Sequence, residues 1–251
     1  MLKKLVKRLV PAVAVAMSAG LAGCDGMDIQ INDVDGVPLA ELDMSGDAPT
    51  EIVLAGPDTV IITEGDTLDI AVDGASEATG ALRFSLEDGT LGIAREKDSW
   101  KDGGTATIRV TMPAPEAIVL AGSGTLEANA LAKDAGVTIA GSGKASTTGI
   151  AAEKLDVTVA GSGTYSAAGT VDRLEVTIAG SGSAAMSELK AGRAEVTIAG
   201  SGDADFASDG EVEAKIVGSG DVTVTGNATC TVSSLGSGKV KCQTVKKDDV
   251  N

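Results

Sequence analysis

The sequence predicts an all-β fold in which the chain winds as a solenoid with coils of about 19 residues. Gly-Ser-Gly occurs seven times at near-constant steps of 18 to 20 residues, which is typical of a repeat architecture. Apolar and polar residues alternate on both sides of each triplet, as they do in β-strands. Aromatic residues make up only 2% of the 251 residues, so small aliphatic side chains must fill a thin, regular core. The triplets lie at 122–124, 141–143, 161–163, 180–182, 200–202, 218–220 and 236–238.

The residues before each triplet predict how the strands stack. Segments such as VTIAGSG (137–143) and VTVAGSG (157–163) place β-branched residues two and four positions before the triplet, with Thr between them. We expect the aliphatic side chains to point inward, Thr outward, and glycines to turn the corner with positive φ angles. The glycine and β-branched content excludes helices. Because the same element returns every turn, coils stack in parallel, and seven coils predict a rod about 30–35 Å long.

Two further inward columns follow the triplets, at the second and fourth positions after each one. A side chain at these positions points into the same narrow core, because the alternation resumes beyond the corner. The first column contains Leu126, Ala145, Tyr165, Ala184, Ala204, Val222 and Val240. The second contains Ala128, Thr147, Ala167, Met186, Phe206, Val224 and Cys242.

The chain divides into five predicted segments. They are a signal peptide (1–23), an acidic flexible tether (24–48), an irregular N-terminal β region (49–115), a repetitive β-helix (116–245) and a disordered tail (246–251). Residues 51–58 are a degenerate copy of 117–124, and further strand-like runs occur at 59–63, 68–72, 81–86, 91–94 and 105–111. We interpret the N-terminal β region as the cap of one continuous β structure. A separate small β domain is the alternative.

The first 24 residues are typical of a bacterial export signal. Four basic residues precede an apolar stretch from Leu9 to Leu21, which is too short to span a bilayer comfortably. The following Leu21-Ala22-Gly23-Cys24 resembles the bacterial lipoprotein signal. This resemblance implies cleavage before Cys24, acylation of Cys24 with chains such as palmitate, and attachment to a membrane through them. An ordinary signal with an incidental cysteine is the alternative. By resemblance to enteric lipoproteins, Asp25 favours the periplasmic face of the inner membrane over the outer membrane.

The charge of the chain limits its partners. The net charge is −16, and residues 1–23 carry four positive and no negative side chains, so the processed chain would carry −20. Such a chain is poorly suited to nucleic acid or to close contact with anionic lipid. We therefore expect no nucleic-acid partner.

Residues 49 to 245 resemble the bacterial head GIN domain family, which carries the label of auto-transporter adhesin. The matching features are Gly56-Pro57-Asp58, the Leu-rich segment from Leu82 to Leu91, and the Ile-Val-Leu-Ala-Gly-Ser-Gly entry into the repeats. Asp203 and Asp221 complete the Gly-Ser-Gly-Asp form of the triplet. The resemblance implies a right-handed parallel β-helix at the cell envelope, and it specifies fold strongly and function weakly.

The composition argues against an enzyme. The chain has no His, which excludes Ser-His-Asp and Cys-His nucleophile systems and His-based zinc sites. Some parallel β-helix enzymes act on polysaccharides with carboxylates alone, but such sites also need aromatic platforms for sugar rings. Trp100 and Tyr165 are too few, and Tyr165 falls in an inward column. We expect no catalytic residue and no cofactor.

A column of acids is a weak candidate for a metal site. Asp156, Glu175, Glu195 and Glu213 each stand five residues before a triplet and are expected to stack, so their oxygens could recruit Ca²⁺. The favoured alternative is that the side chains splay into water, compensated by nearby basic residues. Those basic residues are Lys154, Arg173 and Arg193.

Two cysteines form a candidate disulfide. Cys230 and Cys242 both fall at inward positions of the last coil. In an oxidising compartment they would close a loop of about a dozen residues, at a gain of roughly 3 kcal/mol. Two small buried thiols are the alternative.

The polar columns on the outside are the last candidate surface. The triplet serines and the threonines before them predict a flat face, suited to an extended polymer such as a glycan or simply solvated. We expect a non-catalytic, membrane-anchored cell-envelope lipoprotein with a structural or recognition role and a glycan or an envelope protein as partner. The alternatives are a carbohydrate-binding or surface-adhesion module and, less favoured, a carboxylate-based polysaccharide-active enzyme.

Overall fold

A computed structural model of the protein describes residues 36–96, 104–242 and 244–247. The signal peptide, Cys24, Asp25, the first part of the tether, Trp100 and residues 248–251 lie outside the described residues. Within them, the chain forms a parallel β-solenoid of about six turns, which confirms the predicted all-β solenoid. The expectation of seven coils exceeds this number by one.

The described strands belong to one continuous sheet of 18 strands, accompanied by one short α-helix and one 3-10 turn. The helix α1 spans Ser76–Gly80, and the 3-10 turn spans Leu39–Glu41. The strands of the N-terminal region are β1 (Glu51–Ala55), β2 (Thr59–Glu64), β3 (Asp69–Asp73), β4 (Leu82–Glu87), β5 (Thr90–Arg95) and β6 (Thr107–Met112). The strands of the repetitive body are β7 (Ala117–Gly122), β8 (Thr125–Ala128), β9 (Asp134–Gly141), β10 (Lys144–Gly161), β11 (Thr164–Gly180), β12 (Ser183–Gly200), β13 (Asp203–Ser208), β14 (Glu211–Gly218), β15 (Val222–Thr225), β16 (Thr229–Gly236), β17 (Val240–Lys241) and β18 (Thr244–Lys247).

The repetitive body stacks in the predicted register. Val157 of β10 pairs with Val176 of β11, which pairs with Val196 of β12, all in parallel. The three longest strands run through almost a whole turn each, because the chain stays extended on both sides of its corners. Each coil therefore contacts the coil before it and the coil after it, as in other solenoids.

The glycine corners are required by this close stacking. Gly180 has a φ angle of 124°, in the region that favours glycine. A methyl side chain at Gly180 would lie 2.4 Å from the carbonyl oxygen of Gly161 in the preceding coil. The sequence-based reason for a glycine at each corner is thus confirmed, and the coil spacing leaves no room for any other residue there.

Residues 49–115 continue the solenoid and then cap it. β1 pairs in parallel with β7, with Ile52 opposite Ile118 and Leu54 opposite Leu120, which is the register of the degenerate copy in the sequence. β2 lies on β8, and β5 and β6 extend the stack on the other side of β1 and β2. β4 and β3 then pair antiparallel with β5 and β6 and end the parallel stack. The five strand-like runs of the sequence agree with the observed strands to within two residues.

The second part of the predicted tether packs against this cap, so the expectation of flexibility up to residue 48 is wrong there. Val37 forms an antiparallel bridge with Phe84 of β4, with each N–H 2.8 Å from the other residue's carbonyl oxygen. Leu39 and Leu42 pack against the hydrophobic core. The reason is that β4 has a free edge and an apolar face, and these three apolar residues cover them despite their acidic surroundings.

The core is a narrow stack of aliphatic side chains, as predicted. The first inward column is buried from Leu126 to Val222, and Val240 at its end is half-buried. Phe84, Tyr165 and Phe206 are all fully buried, so every aromatic side chain in the described part of the chain lies in the core. Burial raises the pKa of Tyr165 to about 12, although the hydrogen bond between its hydroxyl and that of Thr147 acts in the opposite direction.

Candidate functional surface

The strand segments that lead into the triplets form one long face with columns of similar residues. From the preceding corner towards the triplet, the outward positions carry a basic, an acidic, a threonine and an alanine column. Within a column, residues follow one another at the strand spacing of about 4.8 Å. The columns are Lys154, Arg173 and Arg193; Asp156, Glu175, Glu195 and Glu213; Thr138, Thr158, Thr177 and Thr197; and Ala140, Ala160, Ala179 and Ala199.

The acidic column is compensated by two lysines. Lys154 Nζ lies 2.6 Å from Asp156 and 4.0 Å from Glu175. Lys215 Nζ lies 2.8 Å from Glu213 and 3.0 Å from Glu195, and hydrogen bonds to these two carboxylates raise the pKa of Lys215. The structure thus brings the four predicted acids together, and the ammonium groups supply the positive charge that the calcium hypothesis assigned to a metal.

Residues 36–96, 104–242 and 244–247 contain no cluster of three or more Cys, Asp or Glu side chains arranged to hold a metal ion. The four acids themselves follow one another along a straight column rather than surrounding a point. Oxygen ligands of Ca²⁺ must surround the ion, and a single column of carboxylates supplies them from one side only.

Of the three basic residues predicted to compensate the acids, only Lys154 contacts them. Arg193 forms an ion pair with Glu211, at the start of β14. Arg173 has no hydrogen-bond or ion-pair partner among the described residues. The basic column therefore contains one cation whose charge is not matched by a contact within the chain.

The triplet serines form a column of exposed hydroxyls along one corner. From Ser142 onward, the N–H of each serine donates to the carbonyl oxygen of the first glycine of the preceding triplet, at 2.8–2.9 Å. The backbone is thus used in stacking, while the hydroxyls have no hydrogen-bond partner within the described part of the chain. The serines are Ser123, Ser142, Ser162, Ser181, Ser201, Ser219 and Ser237, and all are exposed.

Cys230 and Cys242 are joined as a disulfide in the structure, with their Cα atoms 6.4 Å apart. Cys230 is fully buried and lies directly beyond Val212 in an inward column of β14 and β16. Cys242 is half-buried, just before β18. The bridge ties the last coil to the coil beneath it, at the end of the rod that has no cap of antiparallel strands in the described residues.

A buried ion pair in the N-terminal region was missed by sequence reasoning. Arg95 Nε and Nη2 lie 2.8 and 2.6 Å from the two carboxylate oxygens of Asp58, and both side chains are at most 1% exposed. Arg95 also donates to the carbonyl of Gly104, and the N–H of Ala106 donates to Asp58. The hydrogen bond to Asp58 raises the pKa of Arg95. The available signal was Asp58 itself, which stands where the repeats have a buried glycine and so requires a partner.

The predicted membrane anchor is not among these groups, since Cys24 and Asp25 lie outside the described residues. Over residues 36–96, 104–242 and 244–247, no helix combines the length and the apolar character needed to cross a bilayer.

The fold and surface define a parallel β-solenoid protein with a capped and a disulfide-closed end. Residues 48–228 match the model of the family described as "Putative auto-transporter adhesin, head GIN domain", and the chain belongs to this family. The predicted resemblance is therefore confirmed. A search of curated proteins returned no significant match.

Solved structures share the fold at low sequence identity. A putative adhesin from Bacteroides fragilis is 20% identical with a TM-score of 0.66, over 78% of this chain and 92% of its own. A putative adhesin from Parabacteroides merdae is 16% identical with a TM-score of 0.61, over 78% and 92%. A putative lipid binding protein from Parabacteroides distasonis is 21% identical with a TM-score of 0.58, over 81% and 94%. At these identities, the likeness concerns the fold alone.

Proposed function

We propose that the protein is a non-catalytic recognition protein of the bacterial cell envelope, anchored by lipid on Cys24. The observation that carries this proposal is Leu21-Ala22-Gly23-Cys24 placed before a rigid solenoid. The outward residues of that solenoid form long columns, and each column repeats the same type of residue from one coil to the next. Such columns suit binding along a surface, whereas catalysis needs a few converging groups of different chemistry. The family description and the adhesin and lipid-binding names of the neighbours support a surface or recognition role.

The disulfide supports a location outside the cytosol. Disulfides persist in oxidising compartments such as the bacterial periplasm and the cell surface and are rare in the cytosol. Cys230 and Cys242 are close enough to be joined without any movement of the backbone. Export through the predicted signal peptide and oxidation of this pair are therefore consistent with each other.

The docked end of the tether supports an orientation of the rod. Val37 is held against β4 at the capped end of the solenoid, 13 residues after Cys24. A chain of this length spans at most about 45 Å when fully extended. In the proposal, the capped end faces the membrane and the disulfide-closed end points away from it. Asp25 favours the periplasmic face of the inner membrane in this arrangement.

The anchor is tested by metabolic labelling. Cells that express the full chain or its Cys24→Ser variant are grown with radiolabelled palmitate, and we expect label in the parent chain only. Equal labelling of both chains, or of neither, would contradict the proposed anchor. Separation of the membranes on a sucrose gradient then tests the compartment, since co-migration with outer-membrane porins would contradict the assignment to the inner membrane.

A further inference from the structure

The last part of the solenoid is held to the rest by few non-covalent contacts. Residues 239–242 and 244–247, here called the terminal segment, contain β17 of two residues and β18 of four, whereas β11 and β12 pair along almost a whole turn. Within the described part of the chain, no further coil covers the terminal segment. Four of its residues are lysines and none is acidic, so its side chains repel one another. We therefore expect the terminal segment to detach more readily than the coils beneath it.

The terminal segment covers an edge of the sheet. β17 pairs in parallel with β15, and β18 pairs in parallel with β16. The N–H of Val222 donates to the carbonyl oxygen of Lys239 at 2.9 Å, and the N–H of Thr244 donates to the carbonyl oxygen of Ala228 at 3.3 Å. Val222 and Ala228 are fully buried. Detachment would leave backbone groups of β15 and β16 unpaired and open this end of the core to water, which creates the kind of edge that pairs with other strands.

The disulfide is a covalent link across this boundary. Cys230 lies in β16 and is fully buried, while Cys242 belongs to the terminal segment and is half-buried. The two cysteines are 12 residues apart, and closing a loop of this size favours the attached segment by roughly a hundredfold. Because Cys242 is the more exposed of the two residues, a reductant from solvent reaches its sulfur first.

We propose that Cys230 and Cys242 form a redox-controlled latch on the end of the solenoid. While the disulfide is intact, the terminal segment stays on β15 and β16, and the end of the rod is closed. When a dithiol reduces the disulfide, the segment detaches and the edge of β15 and β16 becomes accessible. This switch goes beyond the recognition role proposed above and does not depend on the lipid anchor.

The reaction is an exchange between a dithiol and the disulfide. One thiolate of the dithiol attacks Sγ of Cys242, the bond to Cys230 breaks, and Cys230 leaves as a thiolate. The second thiolate of the reductant then attacks the mixed disulfide and releases Cys242. Two electrons pass from the dithiol to the protein, the two protons of the dithiol end on Cys230 and Cys242, and the dithiol leaves as its own disulfide.

The first test is hydrogen–deuterium exchange of the full chain, purified in a non-ionic detergent, before and after treatment with dithiothreitol under native conditions. We expect amide exchange in residues 222–232 and in the terminal segment to rise about tenfold or more on reduction. Exchange in residues 157–178, at the centre of the body, should stay unchanged, and reoxidation should restore the original rates. Unchanged exchange in residues 222–232, or an equal rise at the centre of the body, would overturn the proposal.

A second test measures whether Cys230 becomes accessible. After reduction under native conditions, the chain is treated with iodoacetamide, and the labelled cysteines are identified by mass spectrometry of peptides. We expect Cys230 and Cys242 to be labelled at comparable rates, because the buried Cys230 is uncovered only when the terminal segment leaves. Labelling of Cys242 alone would show that reduction breaks the bond without opening the end of the rod, and the latch would then be rejected.

Two variants complete the comparison. Cys242→Ser removes the latch permanently, so its residues 222–232 should exchange as in the reduced parent chain and should not respond to dithiothreitol. Cys24→Ser removes the third cysteine and leaves the pair intact, so this matched control should respond as the parent chain does. A Cys242→Ser chain that exchanges like the oxidised parent, or a Cys24→Ser chain that does not respond, would each refute the assignment of the switch to this pair.

Discussion

The repetitive body and the N-terminal cap bury different kinds of residue. Among the described residues after 116, Thr147 and Ser208 are the buried polar side chains, and the rest of the core is apolar. The cap buries a complete ion pair between Asp58 and Arg95. In the body, every coil is covered by a nearly identical coil, so stacking alone satisfies its backbone and its apolar side chains. The cap has no such neighbour on one side and relies on contacts that occur once.

The comparison shows how a solenoid ends. A parallel stack leaves an edge of unpaired backbone groups at each terminus, which natural proteins must cover or disrupt. Here, one terminus is covered by antiparallel β3 and β4 and by the docked Val37. At the other terminus, the last coil is tied by the disulfide between Cys230 and Cys242. Specific contacts are thus concentrated at the ends, and repetition suffices between them.

The largest effect is expected from breaking the ion pair of the cap. Asp58→Ala leaves the Arg95 guanidinium buried without a counter-charge, and we expect a loss of about 3–5 kcal/mol in the free energy of unfolding. Chemical denaturation followed by circular dichroism measures it. Arg109→Ala is the control, since it breaks an exposed pair of the same cap and should cost at most about 1 kcal/mol. Equal losses in the two variants would show that the buried pair of Asp58 and Arg95 contributes no more to the free energy of unfolding than the exposed pair does.

A smaller effect is expected at a corner of the body. Gly180→Ala forces a side chain into a positive φ angle and against the Gly161 carbonyl, and backbone strain alone costs about 1–3 kcal/mol. Thermal and chemical denaturation measure the loss. Gly136→Ala in β9 is the matched control, because a methyl group there meets no atom within 4 Å. Similar stabilities of the two variants would show that the corners tolerate side chains and that coil spacing does not select glycine.

The smallest effect concerns an aspartate on the outside of the body. Burial raises the pKa of Asp205 above its ordinary value, and the negative charge of Asp203 raises it further. A hydrogen bond from the Ser187 N–H acts in the opposite direction and offsets part of the increase. The folded protein therefore binds a proton more readily than the unfolded chain, so ionised Asp205 lowers stability once the pH exceeds its folded pKa. Asp205→Asn should raise the free energy of unfolding at pH 7 by about 0.5 kcal/mol or less. The difference should vanish as the pH falls below the ordinary aspartate value.

Asp209→Asn provides the opposite sign within the same part of the body. A hydrogen bond from Lys190, followed by one from the Asn227 N–H, lowers the pKa of Asp209. Its ionised form therefore stabilises the fold above the ordinary aspartate pKa, and this contribution is lost as the pH falls through the folded value. The variant should be less stable than the parent chain at pH 7. Denaturation curves at pH 7 and pH 3 test both variants, and equal signs would contradict the assignment of the two shifts.

Much of the fold was predictable because the repeats in the sequence indicate which residues lie next to each other in the structure. A side chain in one coil must pack on the same position of the next coil, so Val157, Val176 and Val196 could be stacked from their spacing alone. The antiparallel ending and the docking of Val37 could not be predicted in this way. They depend on which segment covers a free edge, and non-repeating residues carry no internal register that identifies their partners.

The sequence by itself determined the β-solenoid, its parallel register, its glycine corners and the inward columns, because each follows from a local period of two within a longer period of about 19. The tertiary structure alone decided which charges meet. Asp58 and Arg95 are 37 residues apart and lie in different strands. Lys215 pairs with the acids of two coils, and Arg173 pairs with none among the described residues. Long charged side chains have many rotamers of similar energy, so their contacts depend on the space that surrounding coils leave.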